Sequence, residues 1–173
     1  MILKGLKKFS DDYACPVLGG DLSKGKQQNV AVTVCGAIDQ ENFMSRDGAK
    51  IGDQVFVTGT LGLAKQGLTI LKSNSKEIDL SSKYVSKFIN PNLYFNFGQA
   101  ISSYATSFID VSDGFISDLG HICQASIVGA SIDSDLIPIY GELEDSLTWG
   151  DDYELCFTAN KKYLNKILSL IHI

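Results

Sequence analysis

Residues 107–122 have the sequence SFIDVSDGFISDLGHI, which predicts a strand, a sharp turn and a helix in direct succession. The apolar residues on either side of Asp110 favour a strand over residues 107–111. Gly114 permits the unusual backbone angles of a tight turn. A strand that leads directly into a helix indicates a fold of mixed strands and helices. The apolar residues that follow recur at the spacing of one helix face: Phe115, Leu119 and Ile122.

Strand and helix patterns also alternate through the rest of the chain. Apolar periodicity predicts a helix within residues 1–14, a second that carries Leu63, and a third over about 98–104. The fold class is therefore α/β or mixed α+β. Further strands are predicted from β-branched and apolar runs at 16–18, 29–37, 54–57, 128–133 and 154–158.

The composition argues against several classes of protein. Hydrophobic residues make up 45% and charged residues 20% of the 173 residues, as in an ordinary globular protein. The net charge of −5 argues against non-specific nucleic-acid binding, and no apolar run approaches the roughly 20 residues of a membrane span. The four cysteines form no C-x-x-C pair and no secretory signal is present, so we expect no zinc site, no membrane partner and a cytoplasmic location.

The turn from Asp110 to Gly114 carries two carboxylates and a hydroxyl within four residues. On a strand Asp110 and Ser112 share a face, and Asp113 falls at the start of the following helix. Carboxylates are costly at a strand end without a partner, and a hard cation such as Mg²⁺ takes oxygen ligands and bridges to phosphate. The alternative is helix capping, which explains Asp113 or Ser112 but not Asp110 as well. The turn therefore favours a site for metal and phosphate.

Three other polar sites are weaker when each is taken alone. Gly20 and Asp21 form an acidic turn that allows close approach to a ligand, but Gly-Gly-Asp is also an ordinary turn after a strand. Arg46 is either a solvated charge or a bidentate phosphate contact. Asp151 and Asp152 belong to the acidic segment GDDYE, which is either a solvated turn or a contact for the positive part of a small substrate.

The sequence lacks the signatures of the common kinases and hydrolases. It holds no G-x-x-x-x-G-K-[ST] motif, which excludes a P-loop kinase on pattern, and no H-R-D or D-F-G signature. No Ser-His-Asp arrangement can be argued, and His121 is better explained as a helix residue than as a catalytic base. Phosphate chemistry in this chain would therefore depend on carboxylates and metal.

Taken together, these segments resemble the thiamine-monophosphate kinase family. The most discriminating matches are IDVSDG at 109–114 and GDDYEL at 150–155. Other enzymes of the wider superfamily, such as aminoimidazole ribonucleotide synthetase and selenophosphate synthetase, share the general layout but differ at the DVSDG position. The remaining matches occur in order along the chain: VLGGDLSKG at 17–25, SRDGAKIGDQVFVTGTLG at 45–62, and VGASID at 128–133.

The resemblance implies ATP-dependent phosphorylation of thiamine monophosphate to thiamine diphosphate, by in-line transfer with several Mg²⁺ ions held by aspartates. It also implies part of a two-domain aminoimidazole ribonucleotide synthetase-like fold, and a homodimer for the full-length enzyme. Such a reaction needs positioning and charge neutralisation, so no covalent catalytic residue is expected. The implied contacts are Gly20, Asp21, Arg46 and Ser112 for ATP, Asp21, Asp110 and Asp113 for Mg²⁺, and Asp151 and Asp152 for the substrate.

The resemblance further implies a domain organisation. The family's Asp-rich metal motif, its His-Phe element and a C-terminal aromatic substrate contact have no counterpart here, so we expect a fragment lacking both ends. Residues 1–40 would be a remnant of the N-terminal ATP-binding domain, and 41–167 an incomplete C-terminal α/β domain. Residues 168–173, LSLIHI, match a translated sequencing adapter, so we expect a non-native tail. We expect the fragment to bind ATP weakly and to be inactive alone.

Two alternative functions stay open at this stage. The chain could belong to another ATP-using enzyme of the same superfamily that acts on a different small substrate. It could also be a non-catalytic module that kept the fold. The acids at Asp21, Asp110 and Asp113 argue against the second alternative, because a module without a metal site would not need them.

Overall fold

The computed structural model describes residues 2–73 and 77–170, and these residues form two compact units that divide after Ala37. In the first unit, helix α1 spans Ile2–Asp12 and confirms the predicted N-terminal helix. Ion pairs one helical turn apart, such as Lys7 with Asp11 at 2.8 Å, support its exposed face.

The rest of the first unit corrects two sequence predictions. Residues 16–18 and 29–37 were predicted as strands, but neither segment adopts regular secondary structure. A strand is stabilised by hydrogen bonds to a neighbouring strand, and within the described residues no neighbour pairs with either segment. The β-branched side chains are correspondingly exposed, as at Val34, which is 73% accessible. Strand propensity alone therefore does not order these residues.

The second unit contains one three-stranded antiparallel sheet. Strand β1 spans Asp53–Val57, β2 spans Ala105–Asp110 and β3 spans Leu155–Asn160. The order is β1-β3-β2, so β3 is central, and its Phe157 lies opposite Phe56 on one side and Phe108 on the other. All three strands were predicted from their apolar runs, and together with the helices they confirm the mixed class.

The helices of the second unit surround this sheet. Within the described residues no helix is both long enough and apolar enough to cross a bilayer. Three short 3₁₀ helices lie at Gln40–Asn42, Ser134–Leu136 and Lys161–Tyr163. The α-helices are α2 at Leu63–Lys72, α3 at Lys83–Ile89, α4 at Phe95–Ile101, α5 at Phe115–Ser126, α6 at Leu143–Thr148 and α7 at Leu164–Leu170.

Helix α5 packs against the sheet and fixes the acidic turn before it. Its predicted apolar face is confirmed, because Phe115, Leu119 and Ile122 are all buried with Ile109 and Val111 of the preceding strand region. Burial of each such side chain contributes about 1.5–3 kcal/mol. The end of β2 and the start of α5 are therefore both anchored in one core, which leaves little freedom to the residues between them.

Two other predictions in this unit need correction. The helix predicted at 98–104 is observed three residues earlier as α4. It ends at Ile101 because residues 102–104 form a turn that leads into β2. Residues 128–133 were predicted as a strand, but they form an irregular segment that leads into a 3₁₀ helix. In the described sheet both neighbour positions of β3 are already taken by β1 and β2, and 128–133 is not paired.

Candidate functional site

The two acidic segments of the sequence lie side by side beyond the ends of β2 and β3. The amide of Val111 donates to the Glu154 carbonyl at 2.7 Å, and the amide of Tyr153 donates to the Val111 carbonyl at 2.8 Å. One step further, the amide of Asp151 donates to the Ser112 carbonyl at 3.0 Å. The DVSDG turn and the GDDYE segment, which are separate in sequence, thus form one site.

Two glycines make this close approach possible. A Cβ atom on Gly150 would lie 2.1 Å from the Ser112 carbonyl oxygen, far inside van der Waals contact. Gly114 has a φ of +114°, and a Cβ there would lie 2.6 Å from the carbonyl oxygen of Thr148. A side chain on Gly150 would push the two segments apart, and one on Gly114 would push the turn away from the end of α6, so both glycines are required by the site's geometry.

Three carboxylates and a phenol share the outer surface of the site. Asp110 and Asp113 are exposed, Asp151 is partly exposed, and Tyr153 is 41% accessible between them. The pKa of Tyr153 is raised by partial burial, then by the charge of Asp151 and its hydrogen bond, and then by the charges of Asp110 and Asp113. The charges of all three carboxylates therefore act on the same phenol, and a cation site at this turn remains a prediction.

The backbone that presents Asp151 and Tyr153 is held in an unusual conformation. Asp151 has a φ of +64° and Tyr153 a φ of +48°, both in the left-handed region that side chains other than glycine rarely adopt. Each such residue costs on the order of 1–3 kcal/mol, and surrounding contacts must hold it in place. Strain of this kind concentrates at functional sites.

The neighbours of these two residues supply the contacts that hold the backbone. Asp152 is fully buried, and its carboxylate accepts hydrogen bonds from the amides of Gly62 at 2.7 Å and Ala64 at 3.2 Å, at the start of α2. Glu154 is 1% accessible and its carboxylate contacts three donors in the interior. Alternate residues therefore point inward as anchors, while Asp151 and Tyr153 are presented to solvent.

Asp118 is a site residue that the sequence analysis missed. Its Oδ2 atom accepts hydrogen bonds from the amides of Ser112 at 2.9 Å and Asp113 at 3.0 Å, and the residue is 2% accessible. Asp118 also lies with Asp113 and His121 in a group whose potential ligand atoms are within 4.8 Å of one another. An acid in the first turn of a helix that follows an acidic turn was the available signal.

We expect Asp118→Ala to loosen the acidic turn. The change leaves two amides without their acceptor, which should lower the free energy of unfolding by about 2 kcal/mol and weaken Mg²⁺-dependent ATP binding about tenfold. Urea denaturation and calorimetry measure the two effects. Asp118→Asn is the matched control, because its amide oxygen can still accept both bonds. Equal losses in the two variants would contradict a role through these hydrogen bonds.

Burial of Asp152 has a consequence for stability against pH. Burial raises the pKa of this carboxyl above its ordinary 3.8, and the amides of Gly62 and Ala64 only partly oppose the shift. The folded chain therefore binds this proton more tightly than the unfolded chain. The stability contributed by the proton is complete below pH 3.8 and is lost as the pH rises through the folded-state pKa.

We therefore expect the advantage of the wild type over Asp152→Asn to shrink as the pH rises. Chemical denaturation of both proteins from about pH 3.5 to about pH 7 gives the difference in their free energies of unfolding. Titrating groups that do not interact with Asp152 cancel in this difference, because both proteins carry them. A difference that stays flat, or that grows with pH, would show that the folded-state pKa is not raised.

The remaining predicted residues lie elsewhere. Arg46 is exposed, and its backbone carbonyl accepts a hydrogen bond from the Ser126 hydroxyl at 2.9 Å, which ties its loop to the end of α5. Gly20 and Asp21 are exposed residues of the first unit, where the Ser23 hydroxyl donates to Asp21 at 2.9 Å. Their participation in a site with the second unit remains a prediction.

The chain is similar to known thiamine-monophosphate kinases, although no protein-family model matches it. The enzyme of Aquifex aeolicus is 33% identical over 182 residues, which cover 98% of this chain and 59% of the relative. The enzyme of Escherichia coli K12 is 37% identical over 173 residues, which cover 89% of this chain and 53% of the relative. The chain thus spans a little over half the length of the curated relatives it matches.

A solved structure also matches the fold of this chain, and its description names two bound ligands. A structure described as AaThiL complexed with AMPPCP and TMP matches with a TM-score of 0.65 and 32% identity, over 69% of this chain and 43% of that one. That relative therefore binds an ATP analogue and TMP.

Proposed function

Because this chain belongs to the thiamine-monophosphate kinase family over about half the length of its relatives, we propose that it supplies part of an enzyme that phosphorylates thiamine monophosphate with ATP. The observation that carries the proposal is the joining of the DVSDG and GDDYE segments into one acidic surface. The solved structure of AaThiL with AMPPCP and TMP supports it.

The donor set of the surface suits Mg²⁺. Asp110 and Asp113 offer exposed carboxylate oxygens on one turn, and hard cations prefer such ligands. The amides of Ser112 and Asp113 are held by Asp118, so the turn is fixed before any ligand arrives. We assign Asp110 and Asp113 as Mg²⁺ ligands. Mg²⁺ bound there would neutralise phosphate charge and orient ATP.

The other family positions receive roles in the same proposal. Ser112 contacts ATP from the turn, and Arg46, Gly20 and Asp21 contribute ATP contacts, with Asp21 also a Mg²⁺ ligand. Asp151 is the acid that faces the substrate, since it lies outward on the acidic surface. For Asp152 the substrate contact stays a prediction, because its carboxylate is buried and bonded to the start of α2.

The mechanism needs only placement from these residues. Phosphoryl transfer is accelerated by holding the phosphates in line and by neutralising their charge, so no covalent nucleophile is required. The fixed turn holds the nucleotide side, and Asp151 orients the substrate beside it. The rigid hydrogen bonds between the two segments keep the two sides in register. Such pre-organisation is worth several kcal/mol of the barrier in favourable cases, or about 7–11 at most.

We further propose that the full-length enzyme is a homodimer, that it acts in the cytoplasm, and that its ligands are small molecules rather than nucleic acid or membrane. The 173 residues by themselves bind ATP weakly and do not complete turnover, since they match only about half of each relative.

A chimaera tests the proposed function. Residues 17–158 of this chain replace the matching part of the full-length Aquifex enzyme, and thiamine diphosphate formation from ATP and thiamine monophosphate is followed by chromatography. We expect turnover by the folded chimaera and none by the 173-residue chain. A chimaera that folds, as shown by circular dichroism, yet uses ATP to turn over only an aminoimidazole precursor would favour another enzyme of the superfamily. Turnover by the 173 residues alone would contradict the proposed inactivity.

A further inference from the structure

A buried polar cluster lies directly beneath the acidic surface. The Glu154 carboxylate accepts hydrogen bonds from the hydroxyls of Thr58 and Tyr94, the latter at 2.6 Å, and forms an ion pair with the Lys87 ammonium group. The side chains of Lys87 and Glu154 are only 7% and 2% accessible. A lysine and a glutamate this deeply buried are rare unless they are paired with each other.

The members of this cluster come from four different parts of the second unit. Thr58 follows β1, Lys87 lies on α3, Tyr94 precedes α4, and Glu154 precedes β3. Burial and the hydrogen bond to Glu154 raise the pKa of Tyr94, which shows how closely the phenol and the carboxylate are held. The cluster thus connects distant elements to one residue of the acidic segment.

Lys87 contacts one of the two inward anchors of that segment, Glu154. It pairs with Glu154, and its positive charge also acts on Asp152, where it opposes the rise in pKa caused by burial. Among the described residues, Lys87 is the only cation paired with a carboxylate in the interior of the fold. Without it, two carboxylates would remain buried two positions apart with no positive charge between them.

The backbone of Glu154 connects this cluster to the site. Its carbonyl accepts the hydrogen bond from the Val111 amide at 2.7 Å, so displacement of Glu154 would also displace the DVSDG turn. The two residues with left-handed backbone flank the anchors in sequence: Tyr153 lies between Asp152 and Glu154, and Asp151 directly precedes Asp152. Left-handed conformations persist only where the surroundings over-determine them. The buried anchors are those surroundings.

We propose that Lys87 is a positioning residue, which holds Glu154 in the interior so that the backbone before it presents Asp151 toward the substrate. The inference rests on the proposed function for the identity of the substrate, but the placement of the segment is independent of it. Lys87 acts through Glu154 and does not touch the ligand. Loss of its charge should release Glu154 toward water, and the left-handed residues should relax with it.

Hydrogen exchange of backbone amides tests this placement without any ligand. In Lys87→Met we expect the amides of Val111, Asp151 and Tyr153 to exchange about tenfold faster or more, while amides of the β1–β3 ladder keep their relative protection. Lys87→Met/Glu154→Gln removes both charges and keeps an acceptor oxygen for the hydroxyls of Thr58 and Tyr94, so it should restore slow exchange. Lys83→Met changes an exposed lysine of the same helix and is the matched control. It should behave as the wild type.

Calorimetry with TMP and with AMPPCP·Mg²⁺ supplies the functional readout. We expect Lys87→Met to weaken TMP binding about tenfold or more and AMPPCP binding much less, with recovery in the double variant. Equal acceleration of exchange throughout the second unit, or no recovery in the double variant, would overturn the positioning role. If the wild type binds no TMP but the local exchange pattern appears as described, the proposed substrate is wrong and the positioning of the segment stands.

Discussion

Asp113→Asn is expected to reduce Mg²⁺-dependent ATP binding by about 100-fold or more. The carboxylate is exposed on the same turn as Asp110, and the charges of both residues act on the Tyr153 phenol. Replacement by an amide removes the negative charge that a hard cation requires and keeps the size of the side chain. Loss of one such ligand is more damaging than loss of a supporting residue, which costs about 10–100-fold.

Calorimetric titration with AMPPCP at fixed Mg²⁺ measures this effect. Asp135→Asn is the matched control, because Asp135 is an exposed acid in a 3₁₀ helix. We expect it to bind as the wild type does. The circular dichroism spectrum of Asp113→Asn should be unchanged, since its carboxylate is at the surface. Unaltered nucleotide affinity in a folded Asp113→Asn protein would remove this residue from the metal site.

Gly150→Ala is expected to have the largest effect on stability. The added methyl group would lie 2.1 Å from the Ser112 carbonyl oxygen, and the atom that it meets is backbone, which cannot rotate away. The two acidic segments must then separate and lose the hydrogen bonds between them. We expect the free energy of unfolding to fall by about 3 kcal/mol, in the upper range for a single substitution.

Gly120→Ala is the control that distinguishes a steric clash from the general effect of replacing a glycine by alanine. Gly120 is exposed within α5, and a Cβ there would meet no atom within 4 Å. Alanine favours a helix over glycine by about 1 kcal/mol, so this variant should be as stable as the wild type or more so. Urea denaturation compares the two variants. Similar stability of Gly150→Ala and the wild type would mean that the segments do not pack as closely as described.

Local sequence patterns correctly predicted the elements whose apolar residues line up on one face that packs in the core. Helix α5 shows this best, because the apolar residues whose spacing predicted the helix are the ones that pack in the core. Residues 29–37 show the limit. Their β-branched composition favours a strand, but a strand also needs a neighbour, and sequence does not reveal whether one is available.

The candidate site was only partly predictable for a similar reason. Asp110 and Asp113 were singled out as candidates because helix capping does not explain both of them, and Asp151 because it lies in a run of acids. That the two acidic segments share one surface depends on β2 and β3 being neighbours, which the chain order does not show. Glu154 was not separated from the other acids of the GDDYE segment, since its partner Lys87 is 67 residues away in sequence. Long-range pairs of this kind become visible only in the folded chain.

The central claim is that the two acidic segments form one surface, on which the DVSDG turn binds the metal–nucleotide complex directly beside the GDDYE segment. Mn²⁺ can replace Mg²⁺ and broadens the NMR signals of nuclei near it, so substoichiometric Mn²⁺ with AMPPCP tests the claim residue by residue. We predict selective broadening of amide signals at 110–114 and at 150–153, and little effect at Asp53 and Asn160, which pair at the opposite end of the sheet. Broadening confined to other acidic surfaces, or to only one of the two segments, would contradict the claim.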